Sequence, residues 1–142
     1  MRILALDAGE RRIGIALSDP EGILAIPIAA IVRKDEETDF AAILDLVHQH
    51  GVERIVVGLP YSMNGSVGRQ AKQVQDFVDR LSQRMPVPVA TWDERLSTVA
   101  AGKMLRDAGT KKNRKKEKLD ATAAAIILQT YLDSLQSQNR PD

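Results

Sequence analysis

The 142-residue sequence contains no cysteine, which excludes disulfides, thiolate nucleophiles and cysteine-ligated zinc, and fits a reducing compartment. Aromatic residues make up only 4% of the chain, leaving no platform on which successive bases would stack. No apolar run approaches the roughly 20 residues a membrane helix needs. The chain opens on a strand pattern instead of a basic segment followed by an apolar one, so a soluble, cytoplasmic protein with no membrane partner is expected. Neither sign of charge dominates, since the net charge is +1, and the 44% hydrophobic and 27% charged fractions are ordinary for globular proteins and argue against a disordered or fibrous class. The length suits one core. Residues 1–137 are expected to form a single domain, and 138–142 a frayed tail.

The charge that is present is unevenly spread. Lys111 to Lys118 holds six bases and one acid, so the remainder of the chain is net acidic. The segment follows Gly109 and reads as a basic loop suited to phosphate backbones.

Hydrophobic spacing gives the elements. Arg2 to Leu6 and Arg12 to Ser18 read as strands joined by a tight turn at Gly9, the second alternating bulky Ile13, Ile15 and Leu17 with small residues. Ile23 to Val32 reads as a third strand, and Pro27 inside it marks a sheet edge or a bulge. Phe40, Ile43, Leu44 and Val47 recur at helical spacing, with Thr38 or Asp39 as the cap and Gly51 as the stop. Arg54 to Leu59 is short and apolar enough for a strand buried on both faces, as in a parallel sheet. A helix from Val67 to Leu81, capped by Ser66, follows, with Val74, Phe77, Val78 and Leu81 on its inner side. Then come a strand from Val87 to Thr91, a helix from Ser97 or Thr98 to Arg106, and a last helix from about Glu117 to Leu135. A meander of three strands followed by alternating strands and helices implies an α/β mixed sheet with helices packed on it.

Acids gather where such sheets place function, at the carboxyl ends of strands. Asp7 closes the first strand, and Asp93 and Glu94 follow the fifth. Asp120 shares a helical face with Ala123, Ala124, Ile127 and Tyr131, which aims it at the sheet. Each acid has a plainer use: Asp before Gly caps turns, Asp93 suits a cap better than a ligand, and Asp120 suits a first helical turn. Together, without evident fixed basic partners, Asp7, Glu94 and Asp120 read as ligands for hard divalent cations, Mg²⁺ or Mn²⁺, two of which can clamp a phosphodiester. His48 and His50 read as surface residues favoured at a helix end, and Trp92 as core.

The stretches Leu6-Asp-Ala-Gly-Glu-Arg-Arg-Ile-Gly-Ile-Ala-Leu-Ser-Asp19, Ile55-Val-Val-Gly-Leu-Pro60 with Met63-Asn-Gly-Ser66, Trp92-Asp-Glu-Arg-Leu-Ser-Thr98 and Lys116-Glu-Lys-Leu-Asp-Ala-Thr-Ala-Ala124 resemble, in order, the motifs of the YqgF/RuvX family. That family comprises Holliday-junction resolvases and pre-16S rRNA processing nucleases of the ribonuclease H-like superfamily. The resemblance implies a five-stranded sheet of order 3-2-1-4-5 with the first three strands antiparallel, and it places the family's catalytic and metal-binding acids on Asp7, Glu94 and Asp120. Related RuvC resolvases carry a catalytic Glu at the end of the fourth strand, where this chain has Gly58-Leu59-Pro60. The site must recruit Glu94 from the fifth strand or remain incomplete.

The expected activity is metal-dependent hydrolysis of phosphodiester bonds in structured RNA or branched DNA, by a monomer or homodimer. Processing of the 5′ end of pre-16S rRNA is the leading role and junction cleavage the alternative. Arg12, Ser66, Arg95, Lys111, Lys112, Arg114, Lys115 and Lys116 are the expected contacts to flanking phosphates. Two other classes stay open. Asp-x-Gly after a strand also opens actin- and sugar-kinase-type ATPases, which need two such domains around a cleft. A nucleic-acid-binding or ribosome-assembly factor could keep the scaffold without turnover.

Overall fold

The computed structural model describes residues 1–60, 68–94 and 112–138, the side chains of 112–119 and 138 excepted. In chain order the elements are β1 (Ile3–Ala8), β2 (Arg12–Ser18), β3 (Ala25–Val32), α1 (Glu36–His50), β4 (Arg54–Leu59), α2 (Arg69–Arg84), β5 (Val89–Asp93) and α3 (Lys112–Gln138). The strands form one sheet in the order β3-β2-β1-β4-β5. β2 is antiparallel to β1 and β3, whereas β4 is parallel to β1 and β5 to β4.

Period-two alternation sorts the strand side chains onto two faces. Leu4, Leu6, Ile13, Ile15, Leu17, Ile55 and Val57 form one core with Phe40, Ile43 and Val47 of α1 and Ala71, Val74, Phe77, Val78 and Leu81 of α2. Ile3, Ala5, Ala16 and Val56 form the other with Ala124, Ile127, Leu128, Tyr131 and Leu132 of α3. Trp92 packs at the margin of this second core, donating from Nε1 to Thr130 Oγ1 at 2.9 Å. The Arg54 guanidinium donates to the Tyr131 hydroxyl at 2.7 Å, and Gln129 bonds both Ala25 N and Ile23 O at 2.9 Å. These bonds pin α3 across the sheet from β5 to β3.

Both readings of Pro27 apply at once. β3 is the edge strand, and the register slips between Ile15 and Ala16 so that Ala29 and Pro27 are their partners. A residue without an N–H fits there because no ladder bond is lost.

Several boundaries differ from expectation: besides shifts of up to three residues at the ends of β1, β3, β5 and α2 and at the carboxyl end of the last helix, four bear on the site and its supports. The cap of α1 is Asp35, not Thr38 or Asp39. Thr38 N donates to the Asp35 carboxylate at 2.8 Å, so Thr38 is the residue being capped. Asp39 turns inward, 3% exposed, and accepts from Lys34 N at 3.1 Å. The cap of α2 is Gly68, with no side-chain bond, and the helix starts at Arg69; Ser66, expected to cap it, lies outside the described residues. The basic loop is a correction: α3 already begins at Lys112, since Lys and Arg are good helix formers and neither Gly nor Pro interrupts the run. Finally, β5 runs to Asp93, so only Glu94 lies beyond the strand. The expected helix from Ser97 or Thr98 to Arg106 lies outside the described residues.

Candidate metal and nucleic-acid site

The site is built around Asp7 by two glycines. Alternation puts Asp7 on the same face as Ile3 and Ala5, toward α3. Its partner across the β1–β2 pairing is Gly14. A Cβ on Gly14 would stand 2.1 Å from the Asp120 carbonyl oxygen and 2.6 Å from its carbonyl carbon. The backbone of α3 therefore rests directly on β2, which no other residue would permit. On the other flank, Gly58 follows Val57, the partner of Leu6 in β4. A Cβ there would meet Glu94 Oε1 at 2.9 Å and Ile127 Cδ1 at 2.6 Å. One glycine admits the helix that delivers Asp120, and the other leaves room for the Glu94 side chain against β4.

Asp7 and Glu94 form a hydrogen-bonded carboxyl pair. Glu94 is pushed up to about 8, first by burial, then by the charge of Asp7, the hydrogen bond it donates to Asp7 and the charge of Asp93. Asp7 is raised by burial, held back by the bond it accepts from Glu94, and raised again by the charge of Asp120. Two half-buried carboxyls joined by a hydrogen bond favour sharing one proton over ionising together. Asp120 lies at the flank of the α3 face, where Ala121 and Ala124 are buried, and it is not without a basic partner: Arg12 Nε donates to Asp120 Oδ2 at 2.6 Å. Its side chain remains 32% exposed. Among the described residues no three acidic or histidine side chains are grouped closely enough, as they stand, to hold one ion.

The donor set nevertheless suits a dication. Oxygen ligands are what Mg²⁺ and Mn²⁺ take, and a dication would offset the repulsion between the hydrogen-bonded carboxyls of Asp7 and Glu94. A cavity of about 330 Å³ lined by Gly9, Glu10, Arg11, Arg12 and Asp120 opens beside the Arg12–Asp120 pair. Across the β1–β2 turn a larger cleft of about 510 Å³ is lined by Ala8, Gly9, Glu10, Arg33, Lys34, Gln70, Gln73 and Arg80, with Val74 and Phe77 beneath. Arg33 is held there by a bond from Nη1 to Gly9 O at 2.8 Å and by the Phe77 ring, 5.3 Å below its guanidinium carbon. Lys34 is exposed at the rim. Sequence spacing did not suggest this cleft, because its residues come from the end of β1 and its turn, the segment between β3 and α1, and α2. Of the expected phosphate contacts, Ser66, Arg95 and Lys111 lie outside the described residues, and Lys112, Arg114, Lys115 and Lys116 occupy the first turns of α3.

The carboxyl pair sets a pH dependence. Glu94 titrates near 4.5 when unfolded and about 8 when folded, so between these limits the folded chain keeps a proton that the unfolded chain has released. In EDTA, stability is therefore greatest at the acid end of that window and declines as pH rises through it. Melting curves from pH 5 to 8.5 should show a decline that Glu94→Gln flattens; an equal slope in the variant would contradict the shared proton.

Comparison with known proteins gives a consistent result. Residues 1–134 match the RuvX family, described as "Holliday junction resolvase". A "Putative pre-16S rRNA nuclease" of Desulforamulus reducens is 46% identical over 134 residues, covering 94% of this chain and 98% of that protein. One of the same description from Chloroflexus aurantiacus is 50% identical over 135 residues, covering 95% and 88%. Among solved structures, T. thermophilus RuvC in complex with a Holliday junction substrate superimposes with a TM-score of 0.62 at 19% identity, covering 100% of this chain and 99% of that one. The Fowlpox virus resolvase with its junction DNA gives 0.52 at 12% identity, covering 95% and 99%. The fold is that of the ribonuclease H-like resolvases.

Proposed function

The chain belongs to the RuvX family, and from that premise we propose that it is a divalent-metal-dependent nuclease acting on structured nucleic acid, with the 5′ end of pre-16S rRNA as its cellular substrate. The observation that carries this reading is that Asp7 of β1 meets Glu94, just past β5, in a hydrogen-bonded pair and lies within electrostatic reach of Asp120 of α3. The curated relatives' description favours rRNA over junction DNA.

In this reading Asp7, Glu94 and Asp120 would hold Mg²⁺ or Mn²⁺, which would supply positive charge to activate water and neutralise the leaving oxygen. Asp7, fixed near the end of a central strand, sets the position of the site. Glu94, which donates a hydrogen bond to Asp7 in the metal-free site, would be a second ligand in its ionised form. Gly9, without a side chain, keeps the turn after Asp7 low enough for a phosphodiester to approach. The first turns of α3 lead to Asp120 and the Arg33–Lys34 rim lies across the β1–β2 turn, and phosphates on either side of the cut would lie there. Residues 1–137 would act as one catalytic domain, as a monomer or homodimer in the cytoplasm. No helix among the described residues is long and apolar enough to cross a membrane.

The test is incubation of labelled pre-16S rRNA leader and four-way DNA with Mn²⁺ or Mg²⁺, comparing the wild type with Asp120→Asn. Cleavage of the RNA by the wild type alone supports the proposal; preferential cutting of the junction moves it to resolvase. Equal activity in the two proteins would point to a contaminant. Tight binding without turnover would instead favour an assembly factor, a reading for which the Arg12–Asp120 pair speaks because it already neutralises one acid.

The rim makes a separate prediction. Lys34→Glu should weaken nucleic-acid binding several-fold at low salt and make the plot of log affinity against log salt shallower by about one unit. Anisotropy titrations at several salt concentrations read both. An unchanged slope removes the 510 Å³ cleft from the substrate path.

A further inference from the structure

We infer that Arg12 is a resident counter-ion that holds Asp120 when no divalent cation is bound, and that loading the site exchanges this ion pair for a bond between Asp120 and the cation. The inference rests on the nuclease reading above and adds a gate to it.

Arg12 opens β2 and Asp120 lies near the start of the apolar part of α3, and both backbones are fixed. Gly14, two residues after Arg12, is in van der Waals contact with the backbone of Asp120 itself. The pair is thus set by the packing of a helix on a strand, not by a chance meeting of long surface side chains. Its bond of 2.6 Å is charge-assisted. It turns Asp120 toward Arg12, and no group of three acids close enough to hold an ion stands among the described residues. The neighbouring 330 Å³ cavity, which Arg12 and Asp120 both line, gives each side chain room to turn.

Charge explains why such a partner is needed. Asp7 and Glu94 are already a hydrogen-bonded carboxyl pair, and Asp120 brings a third carboxylate to the same end of the sheet. Arg12 offsets that third charge. When a dication takes over this role, Arg12 is released at the mouth of the same cavity. A guanidinium there has the planar fork that binds phosphate oxygens bidentately. The exchange would couple metal loading to substrate capture, with Arg12 serving one partner before the other.

The test measures Mn²⁺ binding itself, by calorimetry and by the loss of the free Mn²⁺ electron paramagnetic resonance signal, on wild type, Arg12→Ala and Arg12→Gln. Without a competing cation both variants should bind Mn²⁺ about fivefold more tightly, the equivalent of releasing an ion pair worth roughly 1 kcal/mol. Their metal-free melting temperatures should fall, and the rise on adding Mn²⁺ should grow. Their Mn²⁺-loaded forms should bind nucleic acid less well than the loaded wild type. Arg12→Gln keeps the side-chain length and guards against a packing defect in Arg12→Ala. Equal or weaker Mn²⁺ binding in both, with the wild type binding normally, would overturn the gate and leave the nuclease reading standing. No Mn²⁺ binding by the wild type would overturn both.

Discussion

Asp7→Asn should lower cleavage at least about 10³-fold while leaving the protein folded and able to bind nucleic acid. The size follows from what a ligand at this position supports. Charge stabilisation of a phosphoryl transition state by a bound cation is worth several kcal/mol, and each 1.36 kcal/mol is a factor of ten in rate. Asn keeps the shape of Asp but loses the charge, and β1 carries no second acid to replace it. The stability side follows from burial. Desolvation is the largest influence on Asp7 and works against its charged form, so a neutral amide there should leave the metal-free melting temperature unchanged or higher. Single-turnover cleavage and thermal melts, run on one preparation, check both halves. A variant retaining a tenth of wild-type activity would remove Asp7 from the chemistry, and a variant that unfolds would make Asp7 a structural residue.

Gly14→Ala should do the opposite, damaging the fold first and the activity through it. The added methyl would lie 2.1 Å from the Asp120 carbonyl oxygen, well inside any permitted contact. The atom it meets is helix backbone, which cannot rotate away as a side chain can. Either α3 lifts from β2 or the strand bends, and overpacking of this kind costs about 3 kcal/mol. For a chain of this size that corresponds to a fall in melting temperature of roughly 6 to 12 °C. Lifting α3 also moves Asp120 relative to Asp7, and a misplacement of about 1 Å can cost on the order of 10² in rate. Gly51→Ala is the control, since that glycine sits at a helix end with nothing within 4 Å of its Cβ position and a positive φ of 62°; it should lose stability without selective loss of activity. If Gly14→Ala melts and cleaves like the wild type, α3 does not rest on β2 as described.

What could be read from the sequence was whatever a short-range pattern encodes. β2 and β4 were legible to the residue, because alternation in one and an unbroken apolar run in the other are bounded by turn residues. Pro27 announced the edge and the bulge. The acids were legible as types at strand ends and on one helical turn. The start of α3 was not, because a basic run reads equally as loop or as helix until propensity is weighed over its whole length. The Arg12–Asp120 pair was not either, since it joins residues 108 positions apart. The two glycines are the instructive case. Gly14 and Gly58 each interrupt a strand of otherwise bulky residues, and a glycine inside a strand marks close approach of another group. That signal was present, and it pointed to the two places where Asp120 and Glu94 enter.

The claim on which the function rests is that Asp7, Glu94 and Asp120 surround one cation position. Crystals grown with Mn²⁺ and measured at the manganese absorption edge test it most directly. The expected result is an anomalous peak bound by Asp7 and Glu94, with Asp120 turned from Arg12 toward it. Manganese found only elsewhere, with Glu94 still donating its proton to Asp7 and Arg12 still on Asp120, would contradict it.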